Sequence, residues 1–223
     1  MNIKTYIPHY TKLKDRKEYI IKELKFVGIS DYELITEFDK EDITEDILSK
    51  YYNPDAQIRN EKAEFTNGNV NVPELKHSSI SLVLKHIATL DKFIVSDHDY
   101  ALVIEDDCKF FTNYEKIVQS IQDVPSDWDV LFIGGSFDHS IIKHVRLLPN
   151  YILAGHPSTN TTSSFVFNKN SAIKTREKLQ SFSLPIDWEL NYNFAVNDFK
   201  VYHTYPYLAT QLSGRGMASS CND

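Results

Sequence analysis

Tyr100-Ala-Leu-Val-Ile-Glu-Asp-Asp107 is the stretch that decides the fold: a short, continuous apolar run followed at once by three carboxylates. Such runs are typical of strands that are buried on both faces. Open α/β sheets bind their ligands at the carboxyl ends of these strands. Three adjacent carboxylates also repel one another unless a cation or a ligand compensates. The triplet Glu105–Asp107 is therefore predicted to form a metal site, and the alternative is a solvated acidic loop.

Strand-like and helix-like segments alternate along the rest of the chain, which predicts an α/β fold with a mostly parallel central sheet flanked by helices. The predicted strands are Ile3–Pro8, Tyr32–Phe38, Tyr100–Ile104, Val130–Ile133, Ser164–Asn168 and Lys200–Tyr205. The predicted helices are Leu13–Val27, Asp42–Tyr52, Ser79–Phe93, Tyr114–Ile121, Ser171–Gln180 and Asp187–Val196.

The 223 residues are enough for one domain with a sizeable core. We predict a single domain over residues 1–212 and a flexible tail over residues 213–223, where no apolar pattern is found. The segment Asp55–Pro73 contains Asn67-Gly68-Asn69 and has no strong periodicity. It is predicted to be a long surface loop, of the kind that often forms a lid in enzymes.

The formal net charge of −7, without any run of Lys or Arg, disfavours a nucleic-acid partner. No apolar run approaches the length of a membrane span, and Met1–Tyr10 lacks the apolar core of a signal peptide. We therefore expect a cytoplasmic protein with no membrane span.

Carboxylates without accompanying cysteines favour Mn²⁺ or Mg²⁺ over zinc. The chain contains neither of the glycine-rich strings that cradle phosphates. A metal ion that bridges protein carboxylates and a diphosphate would take their place, which is the arrangement expected of nucleotide-sugar transferases. Two other acidic pairs, Asp97/Asp99 and Asp127/Asp129, precede apolar strands and are predicted to lie at the opposite edge of the sheet, as turns.

The string Ala101-Leu-Val-Ile-Glu-Asp-Asp-Cys-Lys-Phe110 resembles the signature segment of glycosyltransferase family 25, which includes lipopolysaccharide and collagen galactosyltransferases. Ser79-Ile-Ser-Leu-Val-Leu-Lys-His86 is similar in spacing to the family's G-E-I-G-C-x-x-S-H helix. Four further segments add to this resemblance: Tyr6-Ile-Pro8 with Asp15-Arg-Lys17, Asp127-Trp-Asp-Val-Leu-Phe-Ile-Gly134, Thr162–Ala172 and Pro185-Ile-Asp187.

The resemblance implies a GT-A type fold, a UDP-sugar donor, Mn²⁺ and inversion at the anomeric carbon. It implies that Asp107 binds the metal, while Glu105 and Asp106 contact the ribose or complete the metal shell. A histidine in the last strand of this fold often adds a metal ligand, which makes His203 a candidate; packing alone is the alternative. Residues implied to bind the nucleotide are Ile7, Pro8, Asp39 and Arg16, of which Arg16 could instead serve only the local fold.

Inversion requires a general base that faces the acceptor hydroxyl. Asp187 is the candidate, with a helix N-cap as its alternative role, and Glu189 in the same turn is the second candidate. His86 is expected to be structural rather than catalytic.

The sequence therefore favours a hexosyltransferase that acts on a glycan, glycolipid or protein acceptor. A sugar nucleotidyltransferase, or a degenerate domain that binds nucleotide-sugar or glycan without catalysis, remains an alternative.

Overall fold

A computed structural model of the chain describes residues 1–68, 71–135, 144–159 and 161–213. Its strands are β1 (Ile3–Pro8), β2 (Tyr32–Ile35), β3 (Tyr100–Ile104), β4 (Cys108–Phe110), β5 (Val130–Phe132), β6 (His144–Leu147), β7 (Tyr151–Ala154), β8 (Ser164–Asn168), β9 (Val201–Thr204) and β10 (Ala209–Gln211). Its helices are α1 (Lys14–Val27), α2 (Glu45–Tyr51), α3 (Ala56–Asn67), α4 (His77–Val95), α5 (Tyr114–Asp123), α6 (Lys169–Lys178) and α7 (Ile186–Val196).

The central sheet has the strand order β2-β1-β3-β8-β5-β9-β7-β6. Strands β1, β2 and β3 pair in parallel, as do β5 and β9, whereas β8 runs antiparallel to both β3 and β5. Following the pairing through β7 to β6, six of the eight strands in the described part of the sheet point the same way. The predicted α/β architecture with a mostly parallel sheet is therefore confirmed.

The two faces of the sheet carry separate hydrophobic cores. On β3, Ala101 and Val103 belong to the core beneath α4, α6 and α7, whereas Leu102 and Ile104 belong to the core beneath α1 and α5. All four side chains are at most 1% exposed. Burial on both faces is the physical reason for the continuous apolar run in the sequence, because neither face of β3 meets water.

Most predicted elements are found within a few residues of their predicted ends, but the loop predicted over Asp55–Pro73 is wrong. Helix α3 occupies most of it, and the Asp55 side chain caps the helix by accepting from the amides of Gln57 and Ile58. The buried residues of α3 are Arg59, Ala63 and Thr66, while Ile58 and Phe65 are largely exposed. An apolar stripe that would reveal this helix is therefore missing from its sequence.

The short strands β4, β6, β7 and β10 were not predicted, and the β4–β10 pair matters for the site. Strand β4 follows the acidic triplet directly, and its antiparallel pairing with β10 places Gln211 opposite Cys108. The next amide, that of Leu212, donates to the backbone oxygen of Asp107 over 3.1 Å. The region around Ser213 is thus held against the triplet.

None of the helices that the structure describes combines the length and the apolar character needed to cross a membrane.

Candidate metal and nucleotide site

The acidic triplet leaves the carboxyl end of β3, as the sequence predicts. The Glu105 amide donates to the backbone oxygen of Ser163 over 3.0 Å, which continues the β3–β8 pairing by one residue. Beyond this bond the backbone turns, since the amide of Cys108 donates to the Glu105 oxygen over 3.1 Å. The turn sends the three carboxylates into three different environments.

Asp106 is held by two basic side chains from the segment that follows β1. One oxygen accepts from Arg16 Nη1 at 2.7 Å, and the other lies 2.8 Å from His9 Nδ1. All three side chains are almost completely buried. With both carboxylate oxygens engaged by protein, Asp106 lies beside the site rather than presenting itself to a metal ion.

Asp107 is completely buried and has one oxygen without a hydrogen bond. Oδ2 accepts from the Ser213 amide at 2.9 Å and from the Ser213 hydroxyl, and it lies 3.5 Å from Arg16 Nη2. Oδ1 has no hydrogen-bond partner among the described residues. A buried carboxylate oxygen left in this state costs free energy, which a cation would offset. Asp107 therefore fits its predicted role as a metal ligand.

Glu105 holds its proton more firmly than an ordinary glutamate. Burial, together with the nearby negative charges of Asp107, Asp106 and Asp187, raises the pKa of its carboxyl to about 7. Thr162 opposes this rise by donating a hydrogen bond of 2.5 Å to Glu105 Oε1. A divalent cation would lower the pKa of Glu105, because it favours the ionised form of any carboxyl beside it.

Asp187 lies in the first turn of α7, close enough to Glu105 for its negative charge to raise the pKa of Glu105. Burial raises the pKa of its carboxyl to about 6, although Oδ1 accepts from the Trp188 amide at 3.1 Å. The helix is capped at Pro185, so the alternative role of Asp187 as the N-cap is wrong. Its second oxygen, Oδ2, forms no hydrogen bond with another residue of the described structure.

Glu189, the alternative base, is committed to the fold. It is completely buried, forms an ion pair of 3.0 Å with Lys62, and accepts from the amides of Ser183 and Leu184 at 2.7 and 3.0 Å. These contacts tie α3 to the start of α7. Lys62 donates to both carboxylate oxygens of Glu189, so the interpretation of this residue as a base is corrected to a structural role.

His203 is likewise held by protein groups rather than offered to a metal. Its Nε2 lies 2.7 Å from the Ser158 oxygen, its Nδ1 lies 3.2 Å from the Tyr207 hydroxyl, and its ring stacks on Phe132 at 4.8 Å. Strand β9 is three strands away from β3, which corresponds to roughly 14 Å between their backbones. The packed alternative describes His203 better than the predicted metal ligand.

A small cleft that opens to solvent lies beside the triplet. Of the predicted nucleotide-binding residues, Pro8, Arg16, Glu105 and Asp106 line it. The other lining residues are His9, Tyr10, Lys40, Ser78, Ser81, Leu82 and Lys85.

Two residues predicted to line the nucleoside pocket are used elsewhere. Ile7 is completely buried in the core beneath α1 and α5, so its side chain does not face the cleft. Asp39 pairs with Lys85 at 2.7 Å and accepts from the Thr11 hydroxyl and amide. Burial alone would raise the pKa of Asp39, but the hydrogen bonds from Lys85 and Thr11 lower it below its ordinary value.

The site residue that sequence reasoning missed is His9. It directly follows β1, so it lies at the carboxyl edge of a strand that neighbours β3. The same positional signal that identified the triplet could have identified it. His86, by contrast, is buried against Phe165, and burial lowers its pKa to about 3, in keeping with the expected structural role.

The described residues contain no group of three or more His, Cys, Asp or Glu side chains arranged to hold a metal ion. Asp107 Oδ1 with the neighbouring Glu105 is the donor set that fits a hard divalent cation, and such ions commonly complete their coordination with waters and substrate phosphates. The residues therefore fit a metal shared with a diphosphate, rather than a cage made by protein alone.

The acidic pairs Asp97/Asp99 and Asp127/Asp129 directly precede β3 and β5, as expected. Asp99 accepts from the Asn2 amide at 2.8 Å, and Asp129 accepts from the Lys200 amide at 2.9 Å. Asp127 accepts from the Tyr202 hydroxyl at 3.0 Å.

Neither a protein-family model nor a curated protein matches this chain. Solved structures that resemble it include the inositol-1-phosphate CTP transferase from T. maritima, with a TM-score of 0.47, 13% identity and coverage of 95% of this chain and 89% of that one. A Drosophila β-1,4-galactosyltransferase 7 in complex with manganese, UDP-Gal and xylobiose has a TM-score of 0.46, 10% identity and coverage of 99% and 74%. Mouse xyloside xylosyltransferase 1 has a TM-score of 0.43, 10% identity and coverage of 89% and 71%. TM-scores below 0.5 carry no weight for activity, so function is judged from the residues of the site.

Proposed function

We propose that this protein is a metal-dependent, inverting glycosyltransferase of the GT-A type, related to family 25, that transfers a hexose from a UDP-sugar to a hydroxyl of a glycan, glycolipid or protein. The observation that carries the proposal is the buried Oδ1 of Asp107, which has no hydrogen-bond partner among the described residues, next to the buried carboxyl of Glu105, whose pKa burial raises. Such a pair is costly in the absence of a cation.

Asp107 and Glu105 would hold Mn²⁺ or Mg²⁺, and the bound ion would stabilise the charge of the departing diphosphate. Arg16 reinforces this arrangement by neutralising Asp106 and orienting Asp107, with contacts of 2.7 and 3.5 Å. The cleft lined by Pro8, Tyr10 and Leu82 would take the nucleoside.

Asp187 would act as the general base. In the transfer, the bond between the anomeric carbon and the diphosphate oxygen breaks, and the acceptor oxygen forms the new bond from the opposite face. The acceptor proton moves to Asp187 Oδ2, and UDP leaves with the bonding electrons. A carboxyl with a pKa of about 6 is mostly ionised at neutral pH and more basic than an ordinary aspartate, which suits this task.

A binding domain without catalysis is the second candidate, and one observation favours it. Arg16 already contacts both Asp106 and Asp107, so a guanidinium supplies part of the positive charge that a metal would bring. In that case nucleotide binding would need no metal, and no sugar would be transferred.

Titration of the protein with UDP by calorimetry, in chelator and in Mn²⁺, separates the two candidates. Binding that requires Mn²⁺, together with release of UDP from a panel of UDP-hexoses, supports the transferase. Equal UDP affinity in chelator and in Mn²⁺, without turnover of any donor, would establish the binding domain instead. Asp97→Asn is the matched control, since this carboxylate is 92% exposed and its removal should change neither result.

A further inference from the structure

His9 carries a nitrogen for which the described structure offers no partner. The residue is 2% exposed and lines the cleft, yet its Nε2 makes no hydrogen bond to any described residue. Buried polar atoms in native proteins are rarely left in this state, and each exception calls for an explanation such as a missing ligand. Because His9 lines a cleft, the explanation that fits here is a bound ligand.

The other ring nitrogen fixes what Nε2 can do. Nδ1 lies 2.8 Å from Asp106 Oδ2, and an ionised carboxylate can only accept a hydrogen bond, so Nδ1 carries the proton. In the neutral imidazole, Nε2 is then a bare acceptor. Arg16 lies 2.7 Å from the other oxygen of Asp106, so this carboxylate has a cationic partner besides the imidazole.

The acceptor character of Nε2 favours a hydroxyl over a phosphate as the ligand group. The oxygens of an ionised phosphate are acceptors, so they have no proton to donate to a bare imidazole nitrogen. The nearest guanidinium, that of Arg16, is directed at Asp106 and Asp107. A ligand hydroxyl can donate directly to Nε2.

A second unpartnered group lies on the α4 wall of the same cleft. Ser78 is 9% exposed, and its Oγ makes no hydrogen bond to any described residue. Its neighbour in the cleft, Ser81, differs because its hydroxyl donates to the Phe38 oxygen over 2.5 Å. The cleft thus offers one acceptor and one hydroxyl, and the two hydroxyls of a ribose would supply a partner for each.

We propose that His9 Nε2 and Ser78 Oγ bind the ribose hydroxyls of the donor nucleotide and select ribonucleotides over deoxyribonucleotides. This inference rests on the proposed use of a UDP-sugar, and it assigns the sugar-ring contacts to two side chains outside the acidic triplet. Sites that hydrogen-bond a hydroxyl reject the analogue that lacks it, because their buried polar groups are then left unpaired.

The experiment compares the affinities of UDP, 2′-deoxy-UDP and 3′-deoxy-UDP in Mn²⁺ for the wild type and for three variants: His9→Phe, Ser78→Ala and Ser81→Ala. We expect the wild type to bind UDP about tenfold or more tightly than at least one deoxy analogue. His9→Phe and Ser78→Ala should each weaken UDP binding by a similar factor. For each variant, one deoxy analogue lacks the hydroxyl that the replaced side chain would bind, and the affinity for that analogue should not change. Ser81→Ala, whose hydroxyl is bonded to backbone, should retain full discrimination.

The outcomes separate this inference from the proposed function. Equal affinity of the wild type for UDP and both deoxy analogues would overturn the ribose assignment while leaving nucleotide binding intact. A variant that loses affinity for all three nucleotides alike would show a structural role for that residue and also contradict the assignment. Failure of the wild type to bind any of them would overturn the proposed function, and the ribose assignment with it. Ser78→Ala keeps the test decisive if His9→Phe does not fold, since Ser78 loses no side-chain hydrogen bond to any residue that the structure describes.

Discussion

Arg16 bridges two members of the acidic triplet: Nη1 lies 2.7 Å from Asp106 Oδ1, and its other terminal nitrogen, Nη2, lies 3.5 Å from Asp107 Oδ2. The bridge leaves Asp107 Oδ1 as the oxygen open to a cation. It also fixes the orientation of both carboxylates before any ligand arrives, which is how functional groups are commonly preorganised.

Asp107→Asn should abolish the stabilisation of the protein by Mn²⁺ with UDP while leaving the metal-free fold largely intact. The amide removes one charge from a crowded triplet and keeps the side-chain volume, so relief of repulsion offsets the weaker contact with Arg16. Thermal unfolding with and without Mn²⁺ measures both effects. An unchanged Mn²⁺-dependent increase in Tm in this variant would place the metal elsewhere, and Asp97→Asn serves as the control with an exposed carboxylate.

Glu105→Gln should stabilise the metal-free protein at pH 8 but not at pH 4. The pKa of Glu105 is raised from 4.5 to about 7, so at pH 4 the carboxyl is mostly protonated in the folded and unfolded states alike and costs little. Between about pH 4.5 and 7 this carboxyl ionises in the unfolded chain but stays protonated in the folded protein, so the free energy of unfolding falls as the pH rises. Above pH 7 the carboxyl is ionised in both states, and the folded protein bears the full cost of the buried charge. Glutamine removes this cost, and each kcal/mol corresponds to about 2–4 °C in Tm for a protein of this size. A constant difference in Tm across this pH range would contradict the shifted pKa.

Asp187→Asn should lower turnover by about a hundred- to ten-thousand-fold while leaving UDP affinity unchanged, because general-base catalysis contributes an effect of this order. In the wild type, transfer at saturating donor should rise from pH 5 to pH 7, as the carboxyl ionises around its pKa of about 6. The measurement is sugar transfer at saturating donor, together with UDP calorimetry. Near-normal turnover in the asparagine variant would remove Asp187 from the mechanism.

Glu189→Gln should instead destabilise the fold. Its carboxylate is completely buried against Lys62 and the amides of Ser183 and Leu184, and weakening a buried ion pair by removing one charge costs roughly 3–5 kcal/mol. Chemical denaturation measures this loss, and the folded fraction of the variant should retain its turnover. A stable variant without activity would restore Glu189 as the base.

The sequence predicted what depends on local pattern and missed what depends on distant partners. Strand β3 and the position of the triplet follow from one continuous apolar run, and both are found where expected. The burial of Glu189 could not be predicted from the local sequence, because its counter-ion, Lys62, is 127 residues away. The position of His9 directly after β1 could have identified it, but its contact with Asp106, which is 97 residues further along the chain, could not be predicted.

The contact between Ser213 and Asp107 makes this segment of the chain a competitor for the cation. Strand β10 tethers Ser213 beside the triplet, so its encounter with Asp107 is intramolecular and corresponds to a high local concentration of a bound hydroxyl and amide. Each hydrogen bond to Oδ2 stabilises the negative charge of the carboxylate, so Oδ1 binds Mn²⁺ less strongly while Ser213 is docked. Ser213→Ala, which removes the hydroxyl but keeps the amide, should then tighten Mn²⁺ binding. In this arrangement β10 sets the metal concentration at which the site fills.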